Sequence, residues 1–105
     1  MTECKIVLTT TGSHEEAQRI AHALVEGRLA TCVNIVPGIE SIYRWQEKTE
    51  RADEWLLIIK TASSSFPRVR DTIKQLHSYN LPECISIEIS EGSAEYLKWI
   101  SNSVK

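Results

Sequence analysis

The side chains richest in chemistry lie together in the stretch His77-Ser78-Tyr79-Asn80-Leu81-Pro82-Glu83-Cys84. An imidazole, a phenol, a carboxylate and a thiol share one short segment, and Pro82 fixes its backbone. Imidazole, carboxylate and thiolate are all metal ligands, and an imidazole titrates near neutral pH. The same segment also reads as a plain connection from a helix to a strand, with His77 stabilising the helix end and the other polar groups solvated. Glu83 can equally hold the loop by accepting backbone N–H bonds or by pairing with Lys60. Outside this segment, Cys32 is either a soft ligand or a small hydrophobe in a packed strand. Cys84 and Cys4 read as packing and incidental thiols. Arg44 and Lys60 extend from strand-like runs, where each can pair with a carboxylate or meet an anionic ligand. Trp45 and Tyr79 suit an interface, with the ring packed and the polar atom bonded. Catalysis finds little support. The chain has no Gly-rich phosphate loop, no G-x-S-x-G and no H-E-x-x-H, so it reads as a non-enzyme. A Cys32–His77 nucleophilic pair is the one catalytic alternative.

The elements that must position these groups can be read from periodicity. Cys4 to Thr10 alternates as a strand, with Cys4, Ile6 and Leu8 on one side and Lys5, Val7 and Thr9 on the other. Ser13 is placed as an N-cap with Glu16 as its capping-box partner. Ala17, Ile20, Ala21, Leu24 and Val25 follow at helical spacing, and Gly27 stands where a left-handed C-terminal residue belongs. His14 and His22 read as solvated residues of this helix. Ala30 to Val36 and Ile39 to Trp45 are strand-like, and Pro37-Gly38 between them predicts a bulge or bend. Gln46 to Asp53 is the most polar stretch and reads as a charged hairpin tip. Trp55 to Ile59 is almost continuously apolar, as expected of a strand in the middle of a sheet. Ser63-Ser64-Ser65 offers N-caps to a helix with Pro67 in its first turn and Phe66, Val69, Ile73 and Leu76 as its stripe. Ile85, Ile87 and Ile89 alternate as a half-exposed strand. Ser93 caps a short last helix carrying Tyr96, Leu97 and Ile100 as its stripe, and Trp99 falls off that stripe, where a neighbouring element or subunit is expected to meet it.

The order predicts an α+β, ferredoxin-like βαββαβ domain over residues 1–105, with an antiparallel sheet and an extra short C-terminal helix. Both long helices fall on one face. The other face carries too many large apolar residues for a free surface, so oligomerisation is expected to cover it. A net charge of −2 at pH 7 argues against a nucleic-acid partner, as does the lack of paired aromatics for base stacking. No apolar run approaches the ~20 residues that span a bilayer. The first residues have no basic region followed by an apolar core, so the expected location is cytoplasmic, with no membrane association. The 3 cysteines are odd in number and form no C-x-x-C pair, which fits reduced thiols.

Several stretches, in order, resemble the CutA family of divalent-cation tolerance proteins. They are Ala30-Thr31-Cys32-Val33-Asn34-Ile35-Val36-Pro37-Gly38, Ser41-Ile42-Tyr43-Arg44-Trp45, Glu54-Trp55-Leu56-Leu57-Ile58-Ile59-Lys60-Thr61, and His77-x-Tyr79-x-x-Pro82-Glu83. The resemblance implies a tight homotrimer whose long hairpins extend neighbouring sheets. It also implies a link to copper, as Cu(I) or Cu(II), and to other divalent metal ions. On that basis Cys32, His77 and Glu83 become the candidate metal ligands. The family is structurally similar to the PII signalling proteins. That likeness makes Arg44, Trp45, Lys60 and Tyr79 candidates for an intersubunit pocket holding a small anionic effector, and a trimeric scaffold is the third reading. Two departures bear on this. Glu47 stands where the family turn Trp-x-Gly-Lys has glycine, so either the turn differs or stability is lost at the tip. Thr9 and Thr72 stand where some relatives carry cysteine, which puts a cage of several thiolates in doubt.

Overall fold

A computed structural model describes residues 2–105. Strand β1 (Cys4–Thr11) leads into helix α1 (His14–Glu26), then the long strands β2 (Cys32–Trp45) and β3 (Lys48–Ala62). A 3-10 turn (Ser63–Ser65), helix α2 (Phe66–Leu76), strand β4 (Ile85–Glu88) and helix α3 (Ala94–Ser103) follow. The sheet order is β2-β3-β1-β4 and every neighbouring pair is antiparallel. This is the expected ferredoxin-like arrangement, with the apolar run of β3 in an inner position.

The alternation of β1 and β3 divides the sheet into two faces. Val7, Leu57 and Ile59 are fully buried against Ala17, Ile20 and Leu24 of α1 and Val69 and Ile73 of α2. Burying each of the larger side chains contributes roughly 1.5–3 kcal/mol. The opposite face holds Ile6 and Leu8, paired with Lys60 and Ile58, and with Ile87 and Ile85. Helix α3 covers one end of this face, where Ile100 is buried, Thr31 Oγ1 donates to the Ile100 carbonyl at 2.8 Å, and the Cys4 thiol meets Leu97 and Ser101. Farther along, Ile85 and Ile87 are 52% and 51% exposed.

Three local expectations change. The polar stretch from Lys48 to Asp53 is strand, paired residue by residue with β2, so only Gln46 and Glu47 form the tip. This arm lacks an apolar alternation because it projects beyond the body; its polar side chains pair with one another instead, as Arg51 does with Glu40 and Asp53. The left-handed residue after α1 is Arg28 (φ 59°), not Gly27 (φ −78°). Gly27 is required for another reason, since a Cβ there would lie 2.8 Å from the Ala23 carbonyl oxygen. Ser65 precedes α2 without giving it a side-chain cap. The bulge is where Pro37-Gly38 placed it, between Val36 and Ile39, with Gly38 at φ 76°.

At the tip, Gln46 and Glu47 have φ of 49° and 66°. A two-residue hairpin with both central residues left-handed is the type I′ geometry that suits the twist of the strands. Glu47 therefore sits in a conformation that costs an L side chain on the order of 1 kcal/mol. Glu47→Gly is expected to raise unfolding stability by about 1 kcal/mol, read as a higher denaturant midpoint at unchanged slope. An unchanged or lower midpoint contradicts this.

Candidate functional site

The segment after α2 is tied to three elements. His77 is the C-cap of α2, and its side chain is 0% exposed. Its Nε2 lies 2.6 Å from the Thr10 carbonyl oxygen, and the Tyr79 N–H donates to Nδ1 at 3.1 Å. A carbonyl only accepts and an amide N–H only donates, so the ring is the neutral tautomer with its proton on Nε2. Both ring nitrogens are thus occupied, and His77 could bind a metal only by giving up one of these bonds.

Glu16 holds the next residue. Its carboxylate accepts the Ser78 N–H at 2.9 Å on Oε2 and the Ser78 hydroxyl at 3.2 Å on Oε1. Arg19 stands 3.5 Å from the same group. Half of the expected capping box is present, the Glu16 N–H donating to Ser13 Oγ at 3.1 Å. The carboxylate itself turns to the loop, because Ser78 offers two donors to a side chain that is 7% exposed.

Tyr79 reaches the third element. Its ring is tilted against His77 at 4.7 Å, and its hydroxyl donates to Glu54 Oε2 at 2.8 Å. Gly12 makes room for this phenol, since a Cβ at that position would lie 3.0 Å from the Tyr79 oxygen. Burial first, and the bond to the Glu54 carboxylate second, push the phenol up to about 12.

Between this segment and the hairpin arm lies a cleft of about 640 Å³, within the range of small-molecule sites. Tyr43, Trp45 and Tyr79 line it together with Glu54 and Glu83. Two of the proposed effector residues, Trp45 and Tyr79, are therefore brought together. Arg44 and Lys60 are not among the lining residues. Strand alternation turns Arg44 away from Tyr43 and Trp45, and Lys60 donates to Asn34 Oδ1 at 2.5 Å.

The candidate metal ligands do not meet within one chain. Cys32 pairs with Lys60, which lies opposite Ile6, whereas His77 is bonded at Thr10. Four residues of strand separate those levels by about 13 Å. Glu83 lies with the cleft at the Thr10 end. Among the described residues no three His, Cys, Asp or Glu side chains gather as a metal-holding group. Cys32 is half-buried on the sheet face away from the long helices, with Asn34 Oδ1 4.0 Å from its sulfur. Thr9, opposite Leu57, faces those helices, so a thiol at position 9 would lie on the other side of the sheet from Cys32. Cys84 packs against the core, and burial pushes its thiol up.

The sequence profile described as CutA1 divalent ion tolerance protein matches residues 5–103. The chain belongs to the CutA family. The divalent-cation tolerance protein CutA of Thermus thermophilus is 50% identical over 96 residues, covering 91% of this chain and 93% of that one. The solved structure of the divalent cation tolerance protein Cut A1 from the same organism superposes with a TM-score of 0.95 at 47% identity, over 97% of this chain and 99% of that one. CutA from Xylella fastidiosa superposes at 0.97 with 36% identity, over 99% of this chain and 100% of that one. The CutA match spans every element that builds the cleft.

Glu16, Glu54 and Gly12 were not singled out by sequence reasoning as parts of the site. Glu16 carries a cap signal and Gly12 a strand-break signal, and neither signal reveals a partner more than 60 residues away, the Glu16–Ser78 separation being 62. The phenol of Tyr79 is held protonated in the fold, so its contribution to stability is full below the unfolded value of 10.0 and is lost as pH rises through about 12. Tyr79→Phe is expected to cost about 1–2 kcal/mol at neutral pH and to flatten the fall in stability across that alkaline window. Denaturant titrations of both proteins at stepped pH provide the check, and parallel curves contradict it.

Proposed function

We propose that this CutA protein acts in divalent-cation tolerance as a non-enzymatic homotrimer that binds copper. The observation that carries the assembly is the sheet face left open beyond α3. Leu8 and Ile58 are paired there beside Ile85 and Ile87, which remain half-exposed. A face of this kind is stabilised by burial against another copy.

The same face bears Cys32, the half-buried thiol best placed to meet a soft metal. A copper ion, Cu(I) above all, favours thiolate and imidazole over oxygen ligands and takes more than one donor. Among the described residues, one chain supplies Cys32 without a second soft donor beside it. A complete site therefore draws donors from more than one copy, with Glu83 of a neighbouring copy as the carboxylate. His77 serves this reading by holding the Tyr79–Glu83 segment in place, since its nitrogens are engaged at Thr10 and Tyr79. A thiolate ligand also makes copper affinity fall with falling pH.

A second reading, a PII-like module taking a small effector, is favoured by the cleft itself. The sign of the ligand changes, because the cleft is lined by Glu54 and Glu83 and not by Arg44 or Lys60.

Sedimentation at low micromolar concentration is expected to give a trimeric mass. Calorimetric titration of the reduced protein with Cu(I) is expected to show saturable binding, weakened at least about tenfold by Cys32→Ser. A monomeric mass overturns the assembly. An isotherm unchanged in both Cys32→Ser and Glu83→Gln overturns the copper site.

A further inference from the structure

His77 lies between two neighbours that one state of its ring cannot satisfy together. In the neutral ring Nδ1 is a lone pair, and it accepts the Tyr79 N–H at 3.1 Å. The same nitrogen lies 3.7 Å from Glu16 Oε1, a carboxylate oxygen that can only accept. Two acceptors therefore face one another with no proton between them. A proton added to the ring must go to Nδ1, because Nε2 already carries one toward the Thr10 carbonyl oxygen at 2.6 Å. Nδ1–H would then oppose the Tyr79 N–H, donor against donor, and Glu16 Oε1 would become its acceptor.

The surroundings give the charged ring somewhere to go. Helix α1 supplies Glu16, with Arg19 3.5 Å from its other oxygen. Strand β1 supplies the Thr10 carbonyl, and the loop supplies the Tyr79 amide and its ring at 4.7 Å. Glu54 of β3 is linked to His77 through the Tyr79 hydroxyl. Helix α2 ends at His77, and the carbonyls of a helix end favour a cation. Burial of the ring, 0% exposed, opposes charge, and a charge-assisted bond to Glu16 offsets that cost. Glu16 holds the Ser78 N–H on Oε2, the oxygen away from Nδ1, so that bond survives in both states.

We propose that His77 and Glu16 form an acid-sensitive latch on the loop. With the ring neutral, the Tyr79 N–H is held and the phenol stays on Glu54. Each chain then takes up one proton from solvent, Nδ1–H turns to Glu16, and the Tyr79 amide is released. The wall of the cleft that Tyr79 and Glu83 form loosens, while Ser78 stays bound. The latch lies within one chain and uses neither Cys32 nor a neighbouring copy, so it stands apart from the copper reading.

The test is NMR of the assembled, metal-free protein from about pH 8 to 5, the range in which an imidazole changes charge. The ring nitrogen shifts of His77 report its state. Exchange protection, taken relative to the intrinsic rate at each pH, reports the amides. The Tyr79 amide is expected to lose at least about tenfold in protection with the same midpoint as the His77 ring. The amides of Ser78 and of the inner strand β3 are expected to keep theirs. His77→Asn sets an acceptor that does not titrate in the place of Nδ1, and is expected to abolish the response. Glu16→Gln removes the anion that receives Nδ1–H, and is expected to move the response to lower pH. Melting temperatures confirm that both variants fold. A His77 ring that stays neutral throughout the range overturns the proposal. So does Tyr79 protection that does not follow the ring, an equal loss at Ser78, or a response unchanged in either folded variant.

Discussion

The site depends on a carboxylate that has to be satisfied away from water. Glu16 is almost fully buried in the first turn of α1, and Ser78 supplies both of its close donors, with Arg19 more distant. Removing the Ser78 donors would leave a nearly buried carboxylate with only the more distant Arg19 beside it, which costs more than a typical hydrogen bond contributes. The segment that follows α2 is thereby pinned to α1. His77 pins it again to the Thr10 carbonyl of β1, and Tyr79 reaches on to Glu54 of β3. Helix, strand and strand are joined through one loop, and the cleft is the space left between that loop and the hairpin arm.

This chain of bonds changes the meaning of the polar groups in the segment. His77 has the chemistry of a ligand, but its two nitrogens are used to orient Tyr79. Tyr79 has the chemistry of an interface aromatic, but its hydroxyl holds Glu54. The sheet face that carries Cys32 is a separate matter, shaped by the apolar side chains that α3 does not reach. Cys32 and the cleft lie at opposite ends of β1, with Glu83 on the cleft side.

Much of this was legible in the residues. The alternation in β1, the apolar run of β3 and the Pro37-Gly38 break fixed the strands and the bulge, because local pattern and burial agree there. The segment from His77 to Glu83 was legible as a gathering of polar groups, and the family match was legible across the whole chain. The partners were not. Ser13 and Glu16 spell a capping box, and only the tertiary approach of Ser78 diverts the carboxylate. Lys48 to Asp53 lacks the period of a strand because the arm meets no core, so pairing with β2 rather than burial makes it one. Gly12 was readable as a break, but its closeness to the Tyr79 phenol is a distance that no pattern carries. Arg44 and Lys60 were read as cations of an intersubunit pocket; within one chain, alternation turns Arg44 from the cleft and Lys60 bonds Asn34.

The central claim is that Glu16 holds the loop and thereby forms the cleft. It is tested most directly by amide hydrogen exchange at Ser78 and Tyr79 in Glu16→Ala compared with the unsubstituted protein. The account predicts that both amides lose protection while those of the inner strand β3 keep it. Retention of full protection at Ser78 and Tyr79 in the variant would contradict it.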